Sequence, residues 1–140
     1  MKNKSLKKVF YSLIVIFVLL ITYLFIPFNE NIKRPLFPLF GFLGLLFFIL
    51  GIVLIFLSKQ KKKKLKFFLI LTGFSSLGPL LFSILHNVFY ALSITFQNFK
   101  IVFEILHVTS FLLATIITPT TFLIGIVGSI ILLNTKSYKK

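Results

Sequence analysis

The hydrophobic residues of this chain fall into four long runs that short polar segments separate. The runs cover residues 9–26, 36–57, 67–96 and 101–133. A helix of about 17–25 apolar residues spans the roughly 30 Å hydrocarbon core of a bilayer. The pattern therefore predicts an all-α integral membrane protein, in which four transmembrane helices form two hairpins within a single membrane-embedded domain, residues 1–140.

The polar segments between the runs are a turn at residues 27–35, a basic loop at residues 58–66 and a short stretch that ends at Lys100. The turn contains two prolines, two asparagines and charges of both signs. The third and fourth runs are long for one span but too short for two. We therefore expect each to be one tilted or kinked helix, with Pro79 and Pro119 as the kink sites.

The beginning of the chain also has two features of a secretory signal peptide, a basic start and an apolar run. Two observations favour a retained helix instead. The apolar run at residues 9–26 is longer than the roughly 7–15 apolar residues of a signal peptide, and no small-x-small cleavage site follows it. We expect this run to be the first transmembrane helix.

Lysine and arginine are unequally divided between the two sides of this arrangement. The N-terminal segment, the basic loop and the C-terminal segment hold thirteen of the sixteen, and the other side holds only Lys33, Arg34 and Lys100. Because short basic loops stay on the cytoplasmic side, both termini should be cytoplasmic. Of the three segments that determine this topology, the basic loop carries the most charge. It contains six lysines: Lys59, Lys61, Lys62, Lys63, Lys64 and Lys66.

The formal net charge of +14 raises the question of an acidic partner. Nucleic acid is excluded as the expected partner, because the basic residues lie only at the ends of apolar runs. The same lysines suit anionic lipid headgroups at the cytoplasmic face, at about 1 kcal/mol each. Fifteen lysines against one arginine and twenty phenylalanines are typical of an AT-rich coding sequence, so we expect the cell membrane of a prokaryote.

Small and polar residues follow one face of each of the last two runs. Helices in a bilayer associate through such residues, so these faces should turn inward, while the first helix should be the most lipid-exposed. For the glycine, alanine, serine and threonine members, plain packing is the favoured interpretation. The two stripes are Thr72, Ser76, Pro79, Ser83, His86, Tyr90 and Ser93 in the third run, and Glu104, His107, Ser110, Ala114, Thr118, Thr121, Gly125 and Gly128 in the fourth.

Three ionisable side chains lie within the apolar runs, where they are costly, and such residues often mark functional sites. Two of them have the Glu-x-x-His spacing found in metal sites of helical bundles. They suggest a polar cavity near the outer leaflet as a candidate functional site, lined by His86, Asn87, Tyr90, Glu104 and His107.

Counting along the helices argues against this cavity as a metal site. A hairpin turn near Asn98 offsets His86 from His107 by roughly 7 Å along the axis, too far for a shared ion. The same counting along the fourth helix places Glu104 in the outer interface of the membrane, where an i,i+4 ion pair with Lys100 costs little free energy. We therefore favour interfacial residues over a site and expect no metal or other cofactor.

No nucleotide-binding, zinc-protease or serine-hydrolase motif is present. The lack of cysteine also excludes disulfides and thiol nucleophiles. The sequence favours a structural, accessory or lipid-interacting membrane component, either as a homo-oligomer or beside a larger membrane partner. The alternative is a small transporter or channel subunit that uses the polar faces of the third and fourth helices. A metal-dependent enzyme around Glu104 and His107 ranks third.

Overall fold

The computed structural model describes residues 2–25 and 30–135, and all of its regular elements are helices. The description of the fold as all-α is thereby confirmed. The elements are α1 (Lys2–Phe25), α2 (Glu30–Ser58), α3 (Lys63–Thr95), a 3₁₀ turn (Gln97–Phe99), α4 (Lys100–Leu112), a π-helical turn (Leu113–Ile117) and α5 (Thr118–Asn134).

Four helical segments in the described part of the chain are long and apolar enough to cross a membrane. They are Lys4–Leu24, Arg34–Ser58, Lys63–Thr95 and Gln97–Asn134, the last of which joins α4, the π-helical turn and α5. Their length and composition indicate a membrane protein. A helix suits this setting because it satisfies its own backbone hydrogen bonds where no water is available.

The first polar segment differs from its prediction. The chain is helical from Glu30 onward, so the turn expected at residues 27–35 is wrong in its second half, and residues 26–29 lie outside the described part. Pro35 and Pro38 consequently lie inside α2 rather than at its start. Each removes one backbone N–H donor from the helix.

The basic loop is shorter than expected. Only residues 59–62 separate α2 from α3, because Lys63 to Lys66 already belong to α3. Two backbone hydrogen bonds close this turn, from Lys59 N to Phe56 O and from Lys61 N to Ser58 O. We call the turn, together with the start of α1 and the end of α5, the basic end of the bundle.

Buried side chains concentrate in the half of the bundle next to the basic end, which we call the packed half. At its centre Phe17 of α1, Phe47 of α2 and Phe122 of α5 form a ring cluster with centroids 4.6–6.2 Å apart. The other members of this hydrophobic core come from α1, α2, α3 and α5: Leu6, Phe10, Leu13, Ile16, Leu54, Leu65, Leu69 and Ile126.

The contribution of α1 to this core corrects one prediction. The first helix was expected to be the most lipid-exposed, yet Leu6, Phe10 and Leu13 are fully buried, and a larger share of α1 than of α2 is buried. The reason is that large side chains can fill the interior of a bundle as well as face lipid. The apolar composition of α1 therefore does not say which way its faces turn.

The remaining half of the bundle, which we call the open half, comprises residues 18–24, 34–46, 79–95 and 97–112. Among these residues only Ser93 and Ser110 are buried. The two halves differ even along one face of α2. A Cβ added at Gly51 would meet the Ser76 side chain and lie 2.8 Å from the Gly73 carbonyl oxygen, whereas one added at Gly44 would meet nothing within 4 Å. Since these two glycines lie seven residues apart on the same face, α2 separates from α3 beyond Gly51.

Candidate functional site

The polar stripes of α3 and α5 face each other in the packed half, as expected. Thr72 lies so close to Gly125 that a Cβ there would be 2.8 Å from the Thr72 backbone nitrogen. One direct side-chain hydrogen bond crosses the interface, from Ser75 Oγ to Thr121 Oγ1, at 2.8 Å. The glycine provides close backbone approach, and the hydroxyls provide a polar link between the helices.

Most of the hydroxyl groups buried in this interface are satisfied within their own helix. Thr72 Oγ1 donates to Phe68 O at 2.8 Å, and Ser76 Oγ donates to Gly73 O at 2.7 Å. In the described part of the chain, Ser129 Oγ is the only enclosed side-chain nitrogen or oxygen atom without a hydrogen-bond partner. The stripe therefore packs as a helix–helix contact, with its hydrogen-bonding capacity used locally.

The π-helical turn shifts the register between α3 and the last helical segment. Gly78 contacts Thr118, and His86 contacts His107. Between these two contacts the chain advances by eight residues on α3 but by eleven residues on the opposing segment. A π-helical turn takes in about one residue more than an α-helical turn, so it absorbs part of this difference. Pro119 lies two residues after this turn and lacks the N–H that a regular α-helix needs there.

Of the two expected kink sites, only Pro119 adjoins an interruption of the α-helix. The chain is α-helical through Pro79. The difference lies in the neighbouring hydrogen bonds, which change to the wider π pattern before Pro119.

The open half contains the first part of the candidate site, a stack of two histidines from different helices. The rings of His86 and His107 have centroids 3.9 Å apart and planes inclined by 22°. His86 Nδ1 lies 3.2 Å from the carbonyl oxygen of His107, and His107 Nδ1 lies 3.1 Å from the carbonyl oxygen of His86. Because a carbonyl oxygen can only accept, both Nδ1 atoms carry the hydrogen and donate it.

An aromatic ring flanks each histidine on its outer side. Tyr90 lies 5.3 Å from His107, and Phe111 lies 5.5 Å from His86, both measured between ring centroids. The four rings form a column in the order Tyr90, His107, His86, Phe111, which we call the aromatic column. Each helix contributes a histidine and, one turn later, an aromatic residue, so the two halves of the column are related by the antiparallel packing of α3 and α4.

This geometry overturns the predicted offset between the histidines. The expected separation of roughly 7 Å along the axis assumed a turn near Asn98 and uniform α-helix on both sides. The observed pairing of residues 86 and 107 centres the hairpin nearer residue 96, and the π-helical turn accommodates the different register further along.

The other two members of the predicted cluster, Asn87 and Glu104, have their partners outside the column. Asn87 is exposed and its Nδ2 donates to Ser83 O at 2.8 Å. Glu104 is 52% exposed and forms an i,i+4 ion pair with Lys100, with 3.8 Å between Oε1 and Nζ. The structure thus brings His86, Tyr90 and His107 together and leaves Asn87 and Glu104 at the surface.

Phe111 is the member of the column that the sequence reasoning missed. It lies four residues after His107, just as Tyr90 lies four residues after His86. This repeated histidine–aromatic spacing was the available signal, because residues four apart share a helix face. It was hidden by the many other phenylalanines of the chain.

The described residues contain no group of three or more histidine, aspartate or glutamate side chains arranged to hold a metal ion. The stacked histidines are also poorly suited to chelation. The lone pair of an imidazole nitrogen lies in the ring plane, so two nearly parallel rings do not direct their lone pairs at one point.

The basic end is the second candidate site. Lys59, Lys63 and Lys64 are exposed, and Lys66 is half-buried. The ammonium group of Lys59 lies 4.6 Å from the ring centroid of Phe56, a distance typical of a cation–π contact. The start of α1 brings three more exposed lysines to this end: Lys4, Lys7 and Lys8.

Comparison of the chain with protein-family models, with characterised proteins and with solved structures finds no match.

Proposed function

We propose that this protein is a structural or accessory component of a prokaryotic cell membrane that binds anionic lipid headgroups at its basic end. Both termini and the turn at residues 59–62 lie on the cytoplasmic side. Thirteen basic residues against three support this orientation, because short basic segments are retained in the cytoplasm. A second copy of the chain or a larger membrane protein is the expected partner of the lipid-facing surface.

The observation that carries the proposal is the concentration of exposed lysines at the end of the tightly packed half. Lysines held near an anionic membrane surface contribute about 1 kcal/mol each. Lys63 and Lys64 begin α3, whose first turns are anchored in the core by Leu65 and Leu69. A rigid helix start therefore holds these charges at a constant height relative to the apolar surface.

Lipid binding can be measured on purified protein in a neutral detergent. We expect a short-chain phosphatidylglycerol to bind at least tenfold more tightly than the matching phosphatidylcholine. Replacing Lys61, Lys62, Lys63 and Lys64 with glutamine should weaken this preference, because part of the charge attraction is lost while Lys4, Lys7, Lys8, Lys59 and Lys66 remain. Substitution of Arg34 and Lys100 with glutamine is the matched control at the other end and should leave the preference intact. Equal affinity for the two lipids would reject the lipid contact.

The orientation needs a separate test, because lipid binding in detergent does not depend on it. A fluorescent protein fused to the C-terminus should fluoresce, while an alkaline phosphatase fused at the same place should be inactive, since the phosphatase folds only outside the cytoplasm. The reverse result would contradict a cytoplasmic C-terminus.

A small transporter or channel subunit is the alternative function. One observation favours it, namely that Ser83 and Asn87 are exposed in the open half, about two and three turns beyond the buried Ser76. A water-soluble maleimide distinguishes the two proposals. A structural bundle should protect cysteines at Ser76, Ser83 and Thr118 from labelling, with Lys64→Cys at the basic end as the exposed reference. A water-filled pathway should allow all three to react.

A further inference from the structure

Between α2 and α3, one glycine–serine contact is formed and a matching one is not. Gly51 of α2 lies so close to Ser76 of α3 that an added Cβ would overlap the serine hydroxyl. Seven residues further from the basic end, on each helix, lie Gly44 and Ser83. Seven residues return an α-helix to within about 20° of the same face and advance it by roughly 10 Å. Gly44 and Ser83 are therefore the residues that would meet next if the two helices continued side by side.

In the structure this second pair does not meet. A Cβ added at Gly44 would have nothing within 4 Å, and Ser83 is exposed. Asn87, one turn further along the same face of α3, is exposed as well. The two helices thus leave a wedge between residues 34–46 of α2 and residues 79–95 of α3, which we call the α2–α3 cleft.

Each side of this cleft is braced by its own hairpin partner. On one side Tyr23 of α1 stacks on Phe40 of α2, with ring centroids 3.8 Å apart and planes inclined by 15°. On the other side the aromatic column joins α3 to α4, and the Nδ1 atoms of His86 and His107 lie 3.2 and 3.1 Å from the carbonyl oxygens of the opposite helix. The α1–α2 arm and the α3–α4 arm are therefore held together internally.

The base of the α3–α4 arm has the features of a hinge. Gly78 of α3 contacts Thr118 of α5, and each is followed directly by a proline, Pro79 or Pro119. A proline removes one backbone hydrogen bond from its helix, so both helices of this hairpin are weakened at the same height. That height is only two residues, about 3 Å, beyond Ser76, where α3 still contacts α2.

The π-helical turn lies beside this height and allows the backbone to rearrange. Such turns have wider hydrogen bonds than an α-helix and are frequent at functional sites. Thr118 Oγ1 donates to Ala114 O at 3.1 Å, and Thr121 Oγ1 donates to Ile117 O at 2.9 Å. Serine and threonine hydroxyls commonly satisfy carbonyl oxygens where a transmembrane helix is interrupted. The segment can therefore bend without leaving these carbonyl oxygens unpaired.

We propose that the α3–α4 arm swings about the two prolines and closes the α2–α3 cleft, so that Ser83 packs against Gly44 as the inner serine packs against its glycine. The structure shows the open arrangement. Closing removes the Ser83 hydroxyl and the Asn87 amide from contact with lipid, where polar groups are costly. The cleft is thus a lateral gate that controls access to these two side chains. The motion is independent of the lipid contact at the basic end, so either proposal can fail without the other.

Disulfide formation within the bilayer tests the closure directly, because the chain has no cysteine of its own. The Cβ atoms of a disulfide lie about 3.8 Å apart on average, and a Cβ at Gly44 has nothing within 4 Å in the open arrangement. A bond between residues 44 and 83 therefore requires the helices to approach. In liposomes treated with copper phenanthroline, Gly44→Cys/Ser83→Cys should form an intramolecular disulfide, with its rate followed by mass spectrometry and gel electrophoresis.

The matched control is the pair Leu39→Cys/Val88→Cys. Both residues are exposed in the open half, and they lie five residues beyond Gly44 and Ser83. Five residues turn a helix by about 140°, so this pair points away from the cleft. The cleft pair should cross-link at least about tenfold faster than the control pair, because directed closing brings only the cleft faces together. Equal rates, or a disulfide-linked dimer at residues 44 and 83, would overturn the proposal.

Restoring the missing backbone N–H groups tests the hinge. Adding Pro79→Ala and Pro119→Ala to the cleft pair should slow the cross-linking at least about threefold, because each alanine permits a regular helical hydrogen bond. Pro35→Ala, which makes the same change inside α2, is the matched control and should leave the rate unchanged. An unchanged rate in the double proline variant would overturn the hinge.

The two cysteine pairs decide the closure even if a proline variant fails to fold, since none of their four positions is buried. Ser75→Cys/Thr121→Cys is the positive reference, because the two hydroxyl oxygens lie 2.8 Å apart across the α3–α5 interface. Absence of a disulfide between residues 44 and 83 while this reference pair cross-links would overturn the closure.

Discussion

The packed half and the open half of the bundle are built from the same helices, yet they are stabilised in different ways. In the packed half, α1, α2, α3 and α5 meet around a phenylalanine cluster, and glycines bring helix backbones close together. In the open half, most apolar side chains are exposed, and the ring contacts between α3 and α4 are those of the aromatic column. Lipid is as apolar as leucine, so exposed apolar residues carry no penalty there.

The comparison shows that apolar composition does not determine packing in a membrane protein. Phe42 in the open half and Phe47 in the packed half belong to the same helix, and the first is 61% exposed while the second is 2% exposed. The difference depends on the helix face as well as on the position along the helix, because five residues turn an α-helix by about 140°, so that Phe47 faces Phe17 and Phe122 while Phe42 faces outward.

The largest expected difference between the halves follows the loss of a phenylalanine ring. Phe122→Ala should lower the free energy of unfolding by about 3 kcal/mol, because it leaves a cavity between Phe17 and Phe47. Phe42→Ala removes the same atoms from a lipid-facing position and should change stability by less than about 0.5 kcal/mol. Unfolding in mixed detergent, followed by circular dichroism, measures both. Equal losses would mean that the open half is closed by contacts as tight as those of the packed half.

The next effect concerns close helix approach. Gly51→Ala should destabilise the protein by about 2 kcal/mol, since the added methyl group collides with Ser76 and with the Gly73 carbonyl oxygen. Gly44→Ala adds the same group on the same face where nothing lies within 4 Å, and it should be neutral or stabilise by up to about 1 kcal/mol through higher helix propensity. The same unfolding measurement applies. Destabilisation by Gly44→Ala would show that α2 and α3 remain close along their whole length.

A smaller effect is expected for the hydroxyl pair that joins α3 to α5. A double-mutant cycle of Ser75→Ala and Thr121→Val should yield a coupling energy of about 0.6 kcal/mol, the average for hydrogen bonds between transmembrane helices. Thr115→Val combined with Ser75→Ala is a control cycle, because Thr115 donates to its own helix and is exposed. Coupling of the same size in both cycles would contradict a direct Ser75–Thr121 bond.

The smallest effect belongs to the ion pair at the far end of the open half. Glu104→Gln should change stability by less than about 0.5 kcal/mol, because both side chains are half exposed and the pair is of the i,i+4 type. Raising the salt concentration should make the variant and the original protein equal. A loss of more than about 1 kcal/mol would indicate that Glu104 has a role in the site after all.

Much of the candidate site was visible in the sequence as residue types, but not as an arrangement. The spacing of Glu104 and Lys100 was sufficient to predict their ion pair, because both lie on one helix within a single turn. The contact between His86 and His107 was not predictable in this way. It depends on the relative height of two helices, and an error of a few residues in the turn between them changes that height by several ångströms.

The sequence by itself determined the number of long apolar helices, the position of the basic segments and the polar faces of α3 and α5. These are properties of single segments, set by hydropathy, charge and the helical period, and they need no knowledge of the neighbours. Only the tertiary structure decided that α1 enters the core, that α2 separates from α3 beyond Gly51, and that His86 meets His107. Those outcomes depend on axial register, which glycine contacts and the π-helical turn before Pro119 set jointly for several helices at once.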